Sequence, residues 1–346
     1  MRRRWQFWLG MVISAGFLYL ALRGLRLSEV WRAWQEANYW WIIPGVIVYF
    51  FAVWARTWRW HYLLRSVQAV PLSRLFPVVC IGYMGNNVYP ARAGELIRAY
   101  VLRRKEGVSV SASLATIIVE RVFDGVVMLI FVFVALPLSF HTMPFWLRQV
   151  VIWGTLLFFG ALLAFFAVAA SPTRTQQFYT WFVERLLPAR FQAPVQGVLD
   201  RFVTGLACLR SGRDVLMIFV TSLVIWLAET VKYWFVMHGF GFTVPFYVLM
   251  LMNGVVNLAT TIPSSPGYVG TFDTPGIEVL VTYGVGRPVA TAYTLVLHAA
   301  LWFPITVLGA FYMGRESVTW RDFRAAEREH ERQEREPAAG GGGSQV

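Results

Sequence analysis

Apolar residues in this chain come in long runs, not at the helical spacing of a half-exposed surface helix. Six runs, residues 5–22, 40–60, 112–137, 150–170, 215–238 and 289–313, have the length and composition of membrane-spanning helices. Two further runs, residues 75–89 and 247–262, are shorter, are interrupted by Gly and Asn, and end in turns rich in Pro and Gly. Fifteen helical residues rise only about 22 Å, less than a hydrocarbon core of about 30 Å.

Flanking charge predicts how the short runs behave. Arg59, Arg65 and Arg74 precede the first, and Arg98, Arg103, Arg104 and Lys105 follow it. Both ends then belong on the cytoplasmic side, so the segment enters and returns as a re-entrant hairpin turning near Pro90. The second has only Arg287 between His238 and Val289. It is expected to enter from the opposite side and turn near residues 263–267. The predicted fold class is an all-α polytopic membrane protein with about six spanning helices, two oppositely oriented re-entrant hairpins and both termini cytoplasmic.

The two halves share an order of elements. Residues 39–137 read as helix, hairpin, helix, and residues 215–313 repeat that order inverted. Residues 1–38 supply a first helix and loop, residues 138–214 a connecting helix and a basic amphipathic segment, and residues 314–346 a charged tail and flexible end. The tips pair Pro90 and Gly94 with Pro263 and Gly267, an Asn precedes each (Asn87 and Asn257), and Gly107-Val108 matches Gly284-Val285. Inverted repeats whose broken helices meet at mid-membrane are a transporter pattern.

Composition agrees with this class. Of 346 residues, 57% are apolar and 14% charged, against about 25% charged in soluble domains. The net charge of +12 fits basic rims facing lipid headgroups, and no base-reading or stacking element points to nucleic acid. Cys80 and Cys208 form no CxxC or Cys/His cluster, so no metal or cofactor is expected. The basic start, Arg2-Arg3-Arg4, lacks a cleavage site after its apolar run and reads as a retained helix.

The candidate chemistry lies inside the apolar runs, where ionisable groups face a partner, a cavity or a path. The first group is Asn87, Arg92, Gly94, Glu95 and Arg98. A helix starting at Gly94 presents free N–H groups suited to an anion, and Arg92 either clamps a phosphate or carboxylate or pairs with an acid such as Glu120 or Asp124. Glu95 and Arg98 have the spacing of an i,i+3 ion pair. The second group is Glu120, Arg121 and Asp124, a polar lining, a proton-coupling carboxylate or a buried network. The third is Glu229 and Lys232, again at i,i+3. The fourth is the tip with Ser264, Ser265, Gly267 and Asp273, where hydroxyls are placed for headgroup hydrogen bonds. A Ser nucleophile would need a nearby base, and no His adjoins it in sequence, so no catalytic residue is assigned. His298, alone in the last helix, reads as a satisfied polar side chain, with a proton relay as the alternative.

Asn87-x-x-Pro90-x-Arg92-x-Gly94-Glu95-x-x-Arg98, followed by Glu120-Arg121-x-x-Asp124 and Pro263-x-x-Pro266-Gly267-x-x-Gly270, resembles the lysylphosphatidylglycerol synthase transmembrane family, also called flippase-like membrane proteins. Asp273 stands where that family usually carries Glu, keeping charge with a shorter reach. The resemblance covers roughly residues 5–313 and implies a lipid-translocating fold, as in multiple peptide resistance factor proteins, without their soluble aminoacyltransferase domain. The expectation is therefore a plasma-membrane flippase for an anionic or lipid-linked headgroup, not an enzyme. Its expected partners are the phospholipid or lipid-linked substrate and the membrane, with a second copy or an envelope-synthesis protein compatible with it. A membrane enzyme acting on a lipid headgroup and a non-transporting scaffold of envelope synthesis are the alternatives.

Overall fold

The computed structural model describes residues 27–89, 93–139, 172–186, 211–261 and 265–316, with scattered positions in 11–19, 149–163 and 192–209. Among the described residues there are helices and turns but no strand. The helices are α1 (Leu27–Glu36), α2 (Ile42–Leu64), α3 (Leu72–Val88), α4 (Gly94–Glu106), α5 (Val110–Ser139), α6 (Pro172–Leu186), α7 (Gly212–Gly239), α8 (Phe246–Ala259), α9 (Asp273–Thr282) and α10 (Arg287–Arg315).

Among the described residues, three segments are long and apolar enough to cross a membrane: Tyr39–Leu64, Gly212–Gly239 and Arg287–Arg315. The 30-residue α5 is as long but carries Glu120, Arg121 and Asp124 in its first half. The expected spans at 5–22 and 150–170 fall largely outside the described residues, as does the charged tail. Local sequence sets the ends. Pro71 and Pro245 precede the short helices α3 and α8, where a missing N–H costs nothing. The Ser211 hydroxyl accepts from Asp214 N–H and caps α7. Gly107, at φ 73°, ends α4 in the left-handed region, its N–H bonded to the Arg103 carbonyl.

The short helices form two helix–turn–helix hairpins, α3 with α4 and α8 with α9, and both lie along α10 or α5. Contacts along α10 fix their direction. Glu278 pairs with Arg287, Gly276 lies against Thr294, and Asp273 meets His298. Further on, Asn87 bonds Thr306, Met84 and Cys80 press on Gly309, and Phe76 meets Tyr312. The hairpin bases thus lie at opposite ends of α10 and their tips abut near its middle, at His298 and Trp302.

Packing pairs repeat when the halves are exchanged. α2 packs on α7, α3 on α10 as α8 on α5, and α4 on α5 as α9 on α10. Close approach requires glycine at several places, two of them where the first hairpin packs on itself and on α10. A Cβ on Gly94 would overlap the Gly82 carbonyl oxygen, and one on Gly309 would lie 2.5 Å from the Met84 Cβ.

The structure changes two of the flanking charges used above. Arg59 is fully buried and Arg98 nearly so, so neither is a cytoplasmic rim charge. The basic flanks of the first hairpin among these seven are therefore Arg65, Arg74, Arg103, Arg104 and Lys105. In the basic segment, α6 presents Phe178, Trp181 and Phe182 outward, with Arg185 over the Trp181 ring, as an interfacial helix does.

Candidate functional site: a charged cavity where the hairpin tips meet

A cavity of about 160 Å³ opens where the two tips face α2, α5, α7 and α10. Of the residues singled out in sequence, Asn87, Gly94, Glu95, Arg98, Arg121, Glu229, Asn257, Gly267 and His298 line it. Glu120, Asp124, Lys232 and Asp273 stand behind that lining, and Ser265 is buried off it. Arg92 and Ser264 lie outside the described residues.

Each charged side chain has a partner. Arg98 Nη2 is 2.5 Å from Glu120 Oε2, and its guanidinium lies over the Trp60 ring at 4.1 Å. Glu95 therefore does not make the i,i+3 pair with Arg98. It faces Arg121 instead, whose Nε is 3.5 Å from Glu95 Oε1 and whose Nη1 is 3.5 Å from Asp124 Oδ2. Asp124 is held mainly from elsewhere: Arg59 Nη1 reaches its Oδ1 at 2.6 Å and Trp226 Nε1 donates to the same oxygen at 2.8 Å. Glu229 does pair with Lys232, one turn on. It also receives Arg56 Nη1 at 2.5 Å, while the Lys232 ammonium sits 4.7 Å from the centre of the Tyr49 ring.

These contacts form one polar layer at the level of the tips. Arg56, Arg59, Arg98, Arg121 and Lys232 supply five positive charges; Glu95, Glu120, Asp124 and Glu229 supply four negative ones. These contacts alone carry a charge of +1 among the described residues; Asp273, a fifth acid behind the lining, faces His298 and none of these cations. Buried charge is tolerated only when paired and hydrogen-bonded, so the surplus favours an anion in the cavity. Arg98 Nε, Arg121 Nε, Asn86 Oδ1 and Glu95 Oε1 are buried with no hydrogen-bond partner.

The second tip closes the cavity with strained backbone. Gly267 has φ 72° and Tyr268 φ 59°, a region that suits glycine and costs an aromatic residue about 1–3 kcal/mol. His298 holds this tip, with Nε2 2.7 Å from the Gly267 carbonyl and Nδ1 2.8 Å from Asp273 Oδ1. Asn87 anchors the first tip, donating to the Trp302 carbonyl and the Thr306 hydroxyl.

Sequence reasoning missed Arg56, which lines the cavity, and used Arg59 as a flank. Both lie inside an apolar span, which is the signal that had marked Glu120 and Asp124. No group of three or more His, Cys, Asp or Glu with metal-holding geometry occurs among the described residues.

The chain is 25% identical over 327 residues to a protein of Haloferax volcanii named glycosyltransferase AglD, covering 87% of this chain and 52% of that protein. It therefore spans about half the length of that relative. It is 23% identical over 314 residues to a UPF0104 membrane protein of Methanothermobacter thermautotrophicus, covering 87% of this chain and 91% of the relative. A second UPF0104 membrane protein of that organism is 26% identical over 284 residues, or 76% of this chain and 80% of the relative. No solved structure gives a significant match. The model of the lysylphosphatidylglycerol synthase TM region matches residues 7–309, and with its apolar helices the chain belongs to that family of multi-pass membrane proteins.

Proposed function

We propose that this protein moves an anionic or lipid-linked headgroup between membrane leaflets. The observation that carries the reading is the +1 charged layer around the cavity, set where two hairpins from opposite ends of α10 abut. On this reading the hairpins are re-entrant, the halves are inverted repeats, and the long helices span the plasma membrane with both termini cytoplasmic.

In this arrangement Arg121 and Arg98 hold the lipid phosphate, and Arg92, outside the described residues, is the further candidate from the sequence. The first turn of α4 adds free N–H groups and its positive end. Glu95 and Glu229 accept from hydroxyl or amino groups of the head, while acyl chains remain in the bilayer. Glu120, Asp124 and Lys232 fix the arginines and Glu229 in place. The name of the Haloferax relative, a glycosyltransferase, puts sugar-bearing headgroups among those to test. Envelope-synthesis proteins are the partner class such a lipid implies.

The test is transbilayer movement of fluorescent lipids in liposomes holding the purified protein, with Arg121→Ala and Arg92→Ala beside it. Rapid movement in wild type, lost in folded variants, supports the reading. No movement across anionic, aminoacylated and polyprenyl-linked lipids would remove it. Covalent change of any of them would move the weight to an enzyme.

A further inference from the structure

His298 is the cavity residue whose hydrogen bonds do not balance for a neutral side chain. Both ring nitrogens face acceptors: Nδ1 lies 2.8 Å from Asp273 Oδ1 and Nε2 lies 2.7 Å from the Gly267 carbonyl oxygen. The other Asp273 oxygen accepts the Gly270 N–H at 2.9 Å. A neutral imidazole has one N–H, and a backbone carbonyl can only accept. Two donated bonds therefore need one further proton, either on the ring against a carboxylate or on Asp273 against a neutral ring. In both assignments the pair holds one dissociable proton.

We infer that Asp273 and His298 form a proton-binding site that ties the second hairpin's tip to α10. The ligand is a proton exchanged with water through the cavity that His298 lines. When it leaves, a lone pair faces a lone pair at Gly267 or at Asp273, and one of the two bonds is lost. The tip then has less to hold it in the left-handed backbone of Gly267 and Tyr268. Proton release would therefore loosen the element that closes the cavity, which couples the site to an ion gradient.

The surroundings suit such a site. Asp273 is 1% exposed, and among the described residues it bonds His298 and the Gly270 amide. The Phe272 ring lies 4.5 Å from the imidazole, centre to centre. Across the cavity, α4 presents Glu95 and Arg98, α5 Arg121, α2 Arg56 and α7 Glu229 with Tyr233. From α3 comes Tyr83 and from the tip itself Tyr268. The carboxylates among these are already engaged with arginine or lysine. α1 meets α10 earlier, where Trp34 donates to the Ala292 carbonyl.

The coupling rests on the lipid-moving reading, so two measurements keep the two separable. The first is hydrogen–deuterium exchange of residues 265–272 in nanodiscs, across about pH 5 to 8 and corrected for intrinsic exchange. Protection is expected to fall as pH rises in wild type and to be flat in Asp273→Asn and His298→Gln. A flat wild-type profile, or variants that titrate like wild type, overturns the site. The second is the steady-state leaflet distribution of a transported lipid under a pH gradient. A one-proton couple shifts it by as much as about tenfold per unit of gradient, whereas each variant is expected to leave it even. Wild type that moves lipid but ignores the gradient overturns the coupling and leaves the lipid reading standing. Exchange that titrates in a protein moving no lipid supports the proton site and removes the lipid reading.

Discussion

Arg56 and Glu229, 173 positions apart, meet at 2.5 Å on the seam between α2 and α7. The same offset takes Arg59 to Lys232 and Tyr49 to Ser222. Arg59 donates to the Ser222 hydroxyl at 2.8 Å, and Lys232 lies over the Tyr49 ring. Exchanging the halves therefore returns the same set of contacts with different chemistry. Glu229 serves two cations, Arg56 and Lys232. Glu229→Gln is expected to cost about 3–5 kcal/mol, since it strands both. Arg56→Gln leaves Glu229 paired with Lys232 and should cost about 1–3 kcal/mol. Melting temperatures in detergent would show that order; the reverse order would mean that Lys232 is the weaker partner.

Arg121 and Asp124 should separate function from stability. Arg121 is partly exposed and its two ion contacts are at 3.5 Å, so Arg121→Gln should cost no more than about 1 kcal/mol while abolishing lipid movement. Asp124→Asn strands the fully buried Arg59 and should cost about 3–5 kcal/mol. Paired melting and liposome assays read both; an Arg121 variant that moves lipid normally would exclude it from the headgroup site.

The turn of the first hairpin tolerates no side chain at Gly94, where a Cβ would overlap the Gly82 carbonyl oxygen. Gly94→Ala should lower stability by about 1–3 kcal/mol or more. Gly212→Ala, with nothing within 4 Å of the added carbon, should be neutral or slightly stabilising, because alanine is the better helix former. Equal melting temperatures for the two variants would contradict the close approach of α3 and α4.

Opposite hairpin directions predict opposite labelling. Lys105, at the base of the first, pairs with Glu316 beyond the end of α10, whereas Glu278 in the second pairs with Arg287 at its start. In a Cys80→Ala, Cys208→Ala background, Arg104→Cys should react with an impermeant maleimide from the cytoplasmic side only. Thr282→Cys should react only from the other side. Labelling of both from one side would end the re-entrant reading.

Much of this was legible in the chain. Of six long apolar runs, three stand as segments fit to span among the described residues, and charges inside apolar runs marked the polar layer, because length and charge are local properties. Partners were less legible. Glu95 has the spacing to pair with Arg98, yet Arg98 turns to Glu120 and Glu95 to Arg121. Which acid wins depends on how α4 lies against α5, and spacing within one helix does not contain that. Arg59 reads as a flank by position, but packing α2 along α7 buries it against Asp124 and Ser222. The Asp273–His298 contact joins two helices 25 positions apart, and no periodicity in either announces it.

The placing of the first hairpin on the last helix has a consequence for biogenesis. Asn87 waits for Thr306, 219 residues later in the chain. At about 5–20 residues per second, roughly 10 to 40 s of synthesis separate the two. On the re-entrant reading, the first tip waits through that interval in or beside the bilayer without the helix that completes its wall. The insertion machinery or early lipid contacts must shelter it, and the final helix acts as the latch on a fold begun long before.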